Sequence, residues 1–241
     1  MKLRAAIFDV YGTLLEVGPP PPDGHALWEQ LFHDTFNTSP PISRLDFSVA
    51  CNRAITQRHD AAKARGVAFP EINWPSVVEE VIPAVSKLSR EARDEFIFRQ
   101  VQIGRSLKLF AGVGHGLRLL QQKGCALGIA SNAQHYTLRE LSEALSGDRV
   151  DLSVFDPDLC VWSFQNGFSK PNPHVFQILA TRLEARGISP GQTLMVGDRL
   201  DNDVEPARAY GMQTWHLTNA PSTETASGDW SALQTWLRQK T

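Results

Sequence analysis

Four short stretches of this 241-residue chain hold side chains able to do chemistry together. Asp9 ends the apolar run AAIF. Ser131 and Asn132 end the run CALGIA. Asp198, Asp201 and Asp203 follow TLMVG in the loop GDRLDND. Lys170 lies in SKPNP, where Asn172 can cap the next helix and Pro173 suits its first turn. Carboxylates brought together repel one another and call for a cation, and hard oxygen donors select magnesium. Ser131, expected where a helix begins, adds a hydroxyl and nearby backbone N–H groups as an anion seat, and Lys170 adds positive charge. A carboxylate nucleophile, a magnesium site and an anion seat together describe phosphoryl transfer through an aspartyl-phosphate.

Those residues meet only if the elements before them share one sheet. The three runs, at 5–8, 125–130 and 193–197, are near-continuously apolar, as in strands buried on both faces of a parallel sheet. A further strand is expected at 213–217. Helical patterns lie between them, at 114–123, 134–145 and 173–186. Such alternation predicts an open α/β sheet, with ligands bound beyond the carboxyl ends of the strands. Asp9, Ser131 and Asp198 would all stand at that edge.

Residues 23–108 read differently. Asp23, Ser43 with Asp46, Trp74–Pro75 and Ser89 each mark a helix start, and little there has a strand's period. Before them, Pro19–Pro22 form a stiff, extended run that serves either as a rigid surface connection or as a hinge between two domains. A stretch rich in Ser and Thr runs from about Ala220 to Gly228. After it, Trp230, Leu233, Trp236 and Leu237 mark a short helix expected to dock on the core.

The bulk composition narrows the function classes. A net charge of −2 and ordinary apolar content leave no electrostatic footprint for nucleic acid or an anionic membrane. No apolar run is long enough to span a bilayer. Cys51, Cys125 and Cys160 are odd in number and lack a CxxC pair, which suits a reducing compartment, and a cytoplasmic protein is expected. The seven histidines show no metal-ligand spacing. The oligomeric state is not readable.

Taken in order, DVYGTL, IASN, SKPNP and VGDRLDND resemble the motifs of the haloacid dehalogenase-like (HAD) hydrolase superfamily, over the chain from its start to about residue 217. The resemblance implies a Rossmann-like core formed by residues 1–16 and 109–241, with an α-helical C1-type cap inserted at 17–108. It implies Asp9 as nucleophile and metal ligand, and the Tyr11 backbone carbonyl as a second ligand. Thr13, Ser131 and Asn132 would bind the transferred group, and Lys170 would balance charge. Asp198 would be the acidic metal ligand, supported by Asp203, with Mg2+ as the cofactor and a small, phosphorylated molecule as substrate.

One position departs from the phosphatase pattern. Phosphatases of this family usually carry a second aspartate at the position of Tyr11, which protonates the leaving group. A phenol with an ordinary pKa of about 10 is a poor general base at neutral pH. DxYGT instead resembles the family's 2-haloacid dehalogenases, whose departing halide needs no proton and which work without metal. Gly197-Asp198 keeps the phosphatase form, and Glu29 stands roughly where dehalogenases carry an arginine. Three functions therefore stand open: a magnesium-dependent phosphatase, weakened for poor leaving groups; a 2-haloacid dehalogenase; and a non-catalytic binding module.

Overall fold

The computed structural model describes residues 2–220 and 225–239. The chain begins with strand β1 (Ala5–Phe8), the Asp9 loop and β2 (Leu15–Gly18). Helices α1 (Gly24–Phe36), α2 (Arg44–Ala64), α3 (Trp74–Val81) and α4 (Arg90–Gly104) follow, and β3 (Ser106–Leu109) returns. Next come α5 (Val113–Gln122), β4 (Ala126–Ser131), α6 (Tyr136–Gly147), β5 (Cys160–Trp162), α7 (Ser163–Asn166) and α8 (Pro173–Ala185). The last described elements are β6 (Thr193–Gly197), α9 (Glu205–Ala209), β7 (Gln213–Leu217), β8 (Ser227–Gly228) and α10 (Trp230–Gln239).

Six strands form one parallel sheet in the order β5-β4-β1-β6-β7-β8. Strand alternation divides the core in two. Ala6 and Phe8 face the layer made by α5, α6 and α10, where Leu117, Leu141 and Leu233 are buried. Ala5 and Ile7 face α8 and α9, with Phe176 and Ala207. Burial on both faces explains the unbroken apolar runs. The chain crosses from β1 to β4 on one side and reaches β6 on the other. The carboxyl end of β1 is thus a topological switch point, where such sheets open a crevice.

The four helices between β2 and β3 bury a cluster of their own. Trp28, Phe32, Phe47, Val78 and Phe96 lie at its centre, with the Trp28 and Phe32 rings 4.9 Å apart and Phe32 and Phe96 5.5 Å apart. Two starts follow the expected caps, Ser43 accepting from the Asp46 N–H and Ser89 from that of Ala92, while α3 begins at the expected Trp74 with Asn73 accepting from the Ser76 N–H. Asp23 stands at the start of α1, but its side chain makes no capping bond.

Two expectations need correction. The expected stretch without strands, 23–108, ends in β3, which pairs antiparallel with β2 from Leu15↔Leu109 to Gly18↔Ser106. These strands are only half buried, so they lack the apolar runs that mark the main sheet. The boundaries expected at residues 17 and 108 fall inside this ribbon. Ser131 does not begin a helix; it is the last residue of β4, and α6 starts at Tyr136. The intervening chain is held out of the helix by side chains. Ser163 Oγ accepts from the Ala133 N–H, and Thr137 Oγ1 from that of Gln134.

Candidate active site

Asp9 and Asp198 each follow a strand, as their sequence positions require, and Asp203 lies in the helical turn Leu200–Val204 after β6. Asp9 follows β1, and its N–H bonds to the Val196 carbonyl of β6. The loop after it is closed by its own backbone: the N–H groups of Leu14 and Leu15 both donate to the Val10 carbonyl at 2.8 Å. Gly12 allows this turn at φ 81°, a left-handed conformation that glycine adopts without strain. It also admits a close neighbour, because a methyl group there would stand 2.4 Å from an Asp198 carboxylate oxygen. The loop's far side is pinned by α10. The Trp230 indole stacks on Phe8, with centroids 5.9 Å apart, and donates to the Thr13 carbonyl at 2.8 Å.

Carboxylate oxygens of Asp9, Asp198 and Asp203 lie within 4.8 Å of one another. Lys170 Nζ stands against two of them, 2.7 Å from Asp9 Oδ1 and 2.5 Å from Asp203 Oδ1. The second Asp203 oxygen accepts from the Arg199 N–H. The Lys170 backbone is itself held on both sides by Asn132, whose Oδ1 accepts from the Lys170 N–H at 2.6 Å and whose Nδ2 donates to its carbonyl at 3.0 Å. Asn132 thereby fixes the lysine's place. These residues, with Tyr11, Arg199 and Asn202, line a cavity of about 250 Å³. Asp201 stands apart from the three acids, paired at the surface with Arg199.

The electrostatics follow from three acids facing one cation. Burial would pull the Lys170 ammonium down, but Asp9 and Asp203 outweigh it and hold the group above its ordinary value. Burial, and then Asp203, push the Asp198 carboxyl up. Burial also pushes Asp203 up; Lys170 opposes this and Asp9 reinforces it. Two hydroxyls complete the picture. Thr13 Oγ1 and Ser131 Oγ are buried with no hydrogen-bond partner among the described residues. Buried polar atoms without partners are rare in folded proteins, and each calls for an explanation.

Tyr11 lines the cavity, yet its phenol is committed elsewhere. The hydroxyl donates to Glu140, shares a 2.7 Å bond with Thr137 Oγ1 and accepts from Arg105 at 2.9 Å. The Arg105 guanidinium also lies 4.4 Å from the centre of the ring. Burial raises the phenol far above its ordinary value; Arg105 opposes this and Glu140 adds to it. The group therefore stays protonated at neutral pH and has its proton placed on Glu140.

Sequence reasoning missed Glu140, Arg105 and the Trp230–Thr13 bond. One signal was present. Thr137, Glu140 and Leu141 share the buried face of α6, so two polar residues occupy an otherwise apolar stripe.

A sequence model of the family described as "Hydrolase: haloacid dehalogenase-like hydrolase" matches residues 3–211. The chain belongs to this hydrolase family. It is 32% identical over 172 residues to a phosphoglycolate phosphatase of Escherichia coli (strain K12), a match covering 70% of this chain and 62% of that protein. The chain thus spans about three fifths or less of the length of such relatives. In fold, it resembles a HAD phosphatase from Thermococcus onnurineus (TM-score 0.56, 20% identity, 98% of both chains). A defluorinating L-2-haloacid dehalogenase has a TM-score of 0.58 at 18% identity, covering 98% of this chain and 95% of that one. Both branches of the family therefore share the fold. Among the described residues, no helix is long and apolar enough to cross a membrane.

Proposed function

We propose that the protein is a magnesium-dependent hydrolase of a small, phosphorylated molecule, acting through an aspartyl-phosphate on Asp9. The observation that carries this reading is the convergence of Asp9, Asp198 and Asp203, with Lys170 paired to Asp9 and Asp203. Displacement of halide needs no such cluster, whereas a divalent cation and a phosphoryl group would use it. The all-oxygen donor set suits magnesium. Asp9, the Tyr11 carbonyl and Asp198 would hold the ion, with Asp203 supporting them. When bound, magnesium supplies positive charge that offsets the carboxylates and polarises the phosphoryl oxygens.

The chain's own residues account for the rest. Lys170 occupies Asp9 Oδ1 and leaves the other carboxylate oxygen to attack phosphorus. The new O–P bond forms as the bond to the leaving oxygen breaks. Lys170 offsets the charge that develops, and Thr13 and Ser131 offer their unpaired hydroxyls to the phosphoryl oxygens. Water then attacks phosphorus, phosphate departs and the Asp9 carboxylate is restored. The leaving group receives no proton from Tyr11, so aryl and acyl phosphates are favoured over alkyl esters. The helical insert acts as a cap over the crevice. Its loop meets the core where Gln134 Nε2 donates to Glu71 Oε1 and the Ile72 carbonyl, at 3.0 and 2.9 Å.

The test is hydrolysis of p-nitrophenyl phosphate and acetyl phosphate with magnesium, in the wild type and in Asp9→Asn. Turnover that Asp9→Asn and a chelator both abolish is expected; chelator-resistant turnover would remove the metal from the scheme. The committed Tyr11 phenol favours a second reading, 2-haloacid dehalogenation, because halide leaves without a proton. Release of chloride from 2-chloropropionate in chelator would establish that alternative.

A further inference from the structure

Glu140 lies outside the cavity, but it is the point where three parts of the molecule meet. Its side chain is 1% exposed. It accepts from the Tyr11 hydroxyl of the nucleophile loop, from Arg105 at 2.9 and 2.8 Å and from Gln102 Nε2 at 2.7 Å. Gln102 belongs to α4, the last helix of the insert, and Arg105 is the residue joining α4 to the ribbon strand β3. Glu140 itself stands on α6 of the core. Arg105 is the cation that neutralises this buried acid and also covers the Tyr11 ring.

We propose that Glu140 is a positioning residue that makes the place of Asp9 depend on the place of the helical insert. The inference rests on the hydrolase reading above. A buried carboxylate cannot lose its cation cheaply, so Arg105 cannot leave Glu140 alone when the insert shifts on the ribbon. Any movement of Arg105 and Gln102 is therefore felt at Glu140 and, through the phenol, at Tyr11, two residues from the nucleophile. Closure of the insert and alignment of Asp9 become one event. This also gives Tyr11 a use that the usual aspartate could not serve: a side chain long enough to leave the cavity and reach α6.

The variants are Glu140→Gln, Tyr11→Phe and their double, assayed with p-nitrophenyl phosphate and magnesium. Tyr11→Phe keeps the Arg105–Glu140 pair, so it remains informative if Glu140→Gln folds poorly. Misplacing a nucleophile lowers kcat more than it raises KM. Each single variant is expected to lose about tenfold or more in kcat with KM changed about twofold or less, and the double to lose no more than the worse single, because both break one link. Amide hydrogen exchange should quicken in residues 9–15 as well as 102–109 in Glu140→Gln. Unchanged kcat with only a lower Tm, or losses that multiply in the double, would overturn the proposal. If the wild type hydrolyses no phosphate ester, the hydrolase reading fails and exchange alone decides. Quickening at 9–15 then upholds the link, and quickening confined to α6 and 102–109 overturns it.

Discussion

Replacing Lys170 by methionine removes the cation paired to Asp9 and Asp203 while keeping most of its packing volume. Its side chain is 3% exposed and bonds Asp9 and Asp203 at 2.7 and 2.5 Å. Removing one partner of a buried pair costs about 3–5 kcal/mol, because the remaining charge stays buried and uncompensated. For a chain of this size, about 1 kcal/mol shifts Tm by roughly 2–4 °C, so Lys170→Met should melt about 6–20 °C lower in chelator. The deficit should also depend on pH. Asp203 already titrates above its ordinary value, and losing Lys170 raises it further. An acid whose folded pKa exceeds its unfolded value of about 3.9 costs stability above the folded pKa and recovers it as pH falls through that value. The deficit should therefore be largest at pH 8 and shrink towards pH 5. Magnesium at about 100 times its Kd should return roughly 2.7 kcal/mol. Denaturant melts of both proteins at the two pH values, with chelator or with magnesium, measure all of this. A deficit below about 1 kcal/mol, or one independent of pH, would refute the claim that Lys170 compensates buried, ionised acids.

The other predictions concern the surrounding shell. Gly12→Ala should cost about 1–2 kcal/mol from its left-handed backbone and weaken magnesium binding by calorimetry, since the new methyl would collide with Asp198. Ser131→Ala should leave the unliganded fold as stable or slightly more so, because it deletes a buried, unpartnered hydroxyl, while phosphate binding weakens; a clear loss of stability would show that the hydroxyl has a protein partner. Trp230→Phe keeps a ring against Phe8 but strands the Thr13 carbonyl, and should cost about 1–3 kcal/mol in urea melts with an accompanying fall in kcat. Magnesium affinity should fall on acidification, because protons compete for the raised Asp198 and Asp203 carboxyls; titrations at pH 7.5 and 5.5 that give equal Kd values would contradict this.

The main sheet was legible because β1 and β6 are buried along their whole length and β4 nearly so, which forces the apolar runs. β5 escaped notice at three residues, wedged between short turns. The β2–β3 ribbon pairs residues far apart in sequence with half-exposed faces, so neither strand announces itself. The helix expected to dock near the chain's end is α10, while residues 221–224 of the Ser/Thr-rich stretch lie outside the described residues. At the site, the order of the acids and Lys170 was readable because Asp9 and Asp198 each follow a strand and Lys170 stands just before α8. The partners that fix them were not. Whether Asn132 faces a ligand or clamps Lys170, and whether Tyr11 turns inward or towards Glu140, depends on contacts that only the folded chain brings together.

The placement of β1 has a consequence for synthesis. It sits in mid-sheet, with Ala5 level with Ala126 on one side and Thr193 on the other, and its following loop is tied to Trp230. As the chain leaves the ribosome, this strand emerges long before any of those partners exist. The insert's buried cluster, by contrast, runs from Trp28 to Ile103 and has all its buried residues before β4 emerges. Pairings so distant in sequence form slowly, and a nascent strand such as AAIF is exposed to mispairing in the meantime. The carboxylate translated early is thus set in place by a tryptophan translated late, and a chain stalled before α10 would carry every candidate catalytic side chain without the anchor of its nucleophile loop.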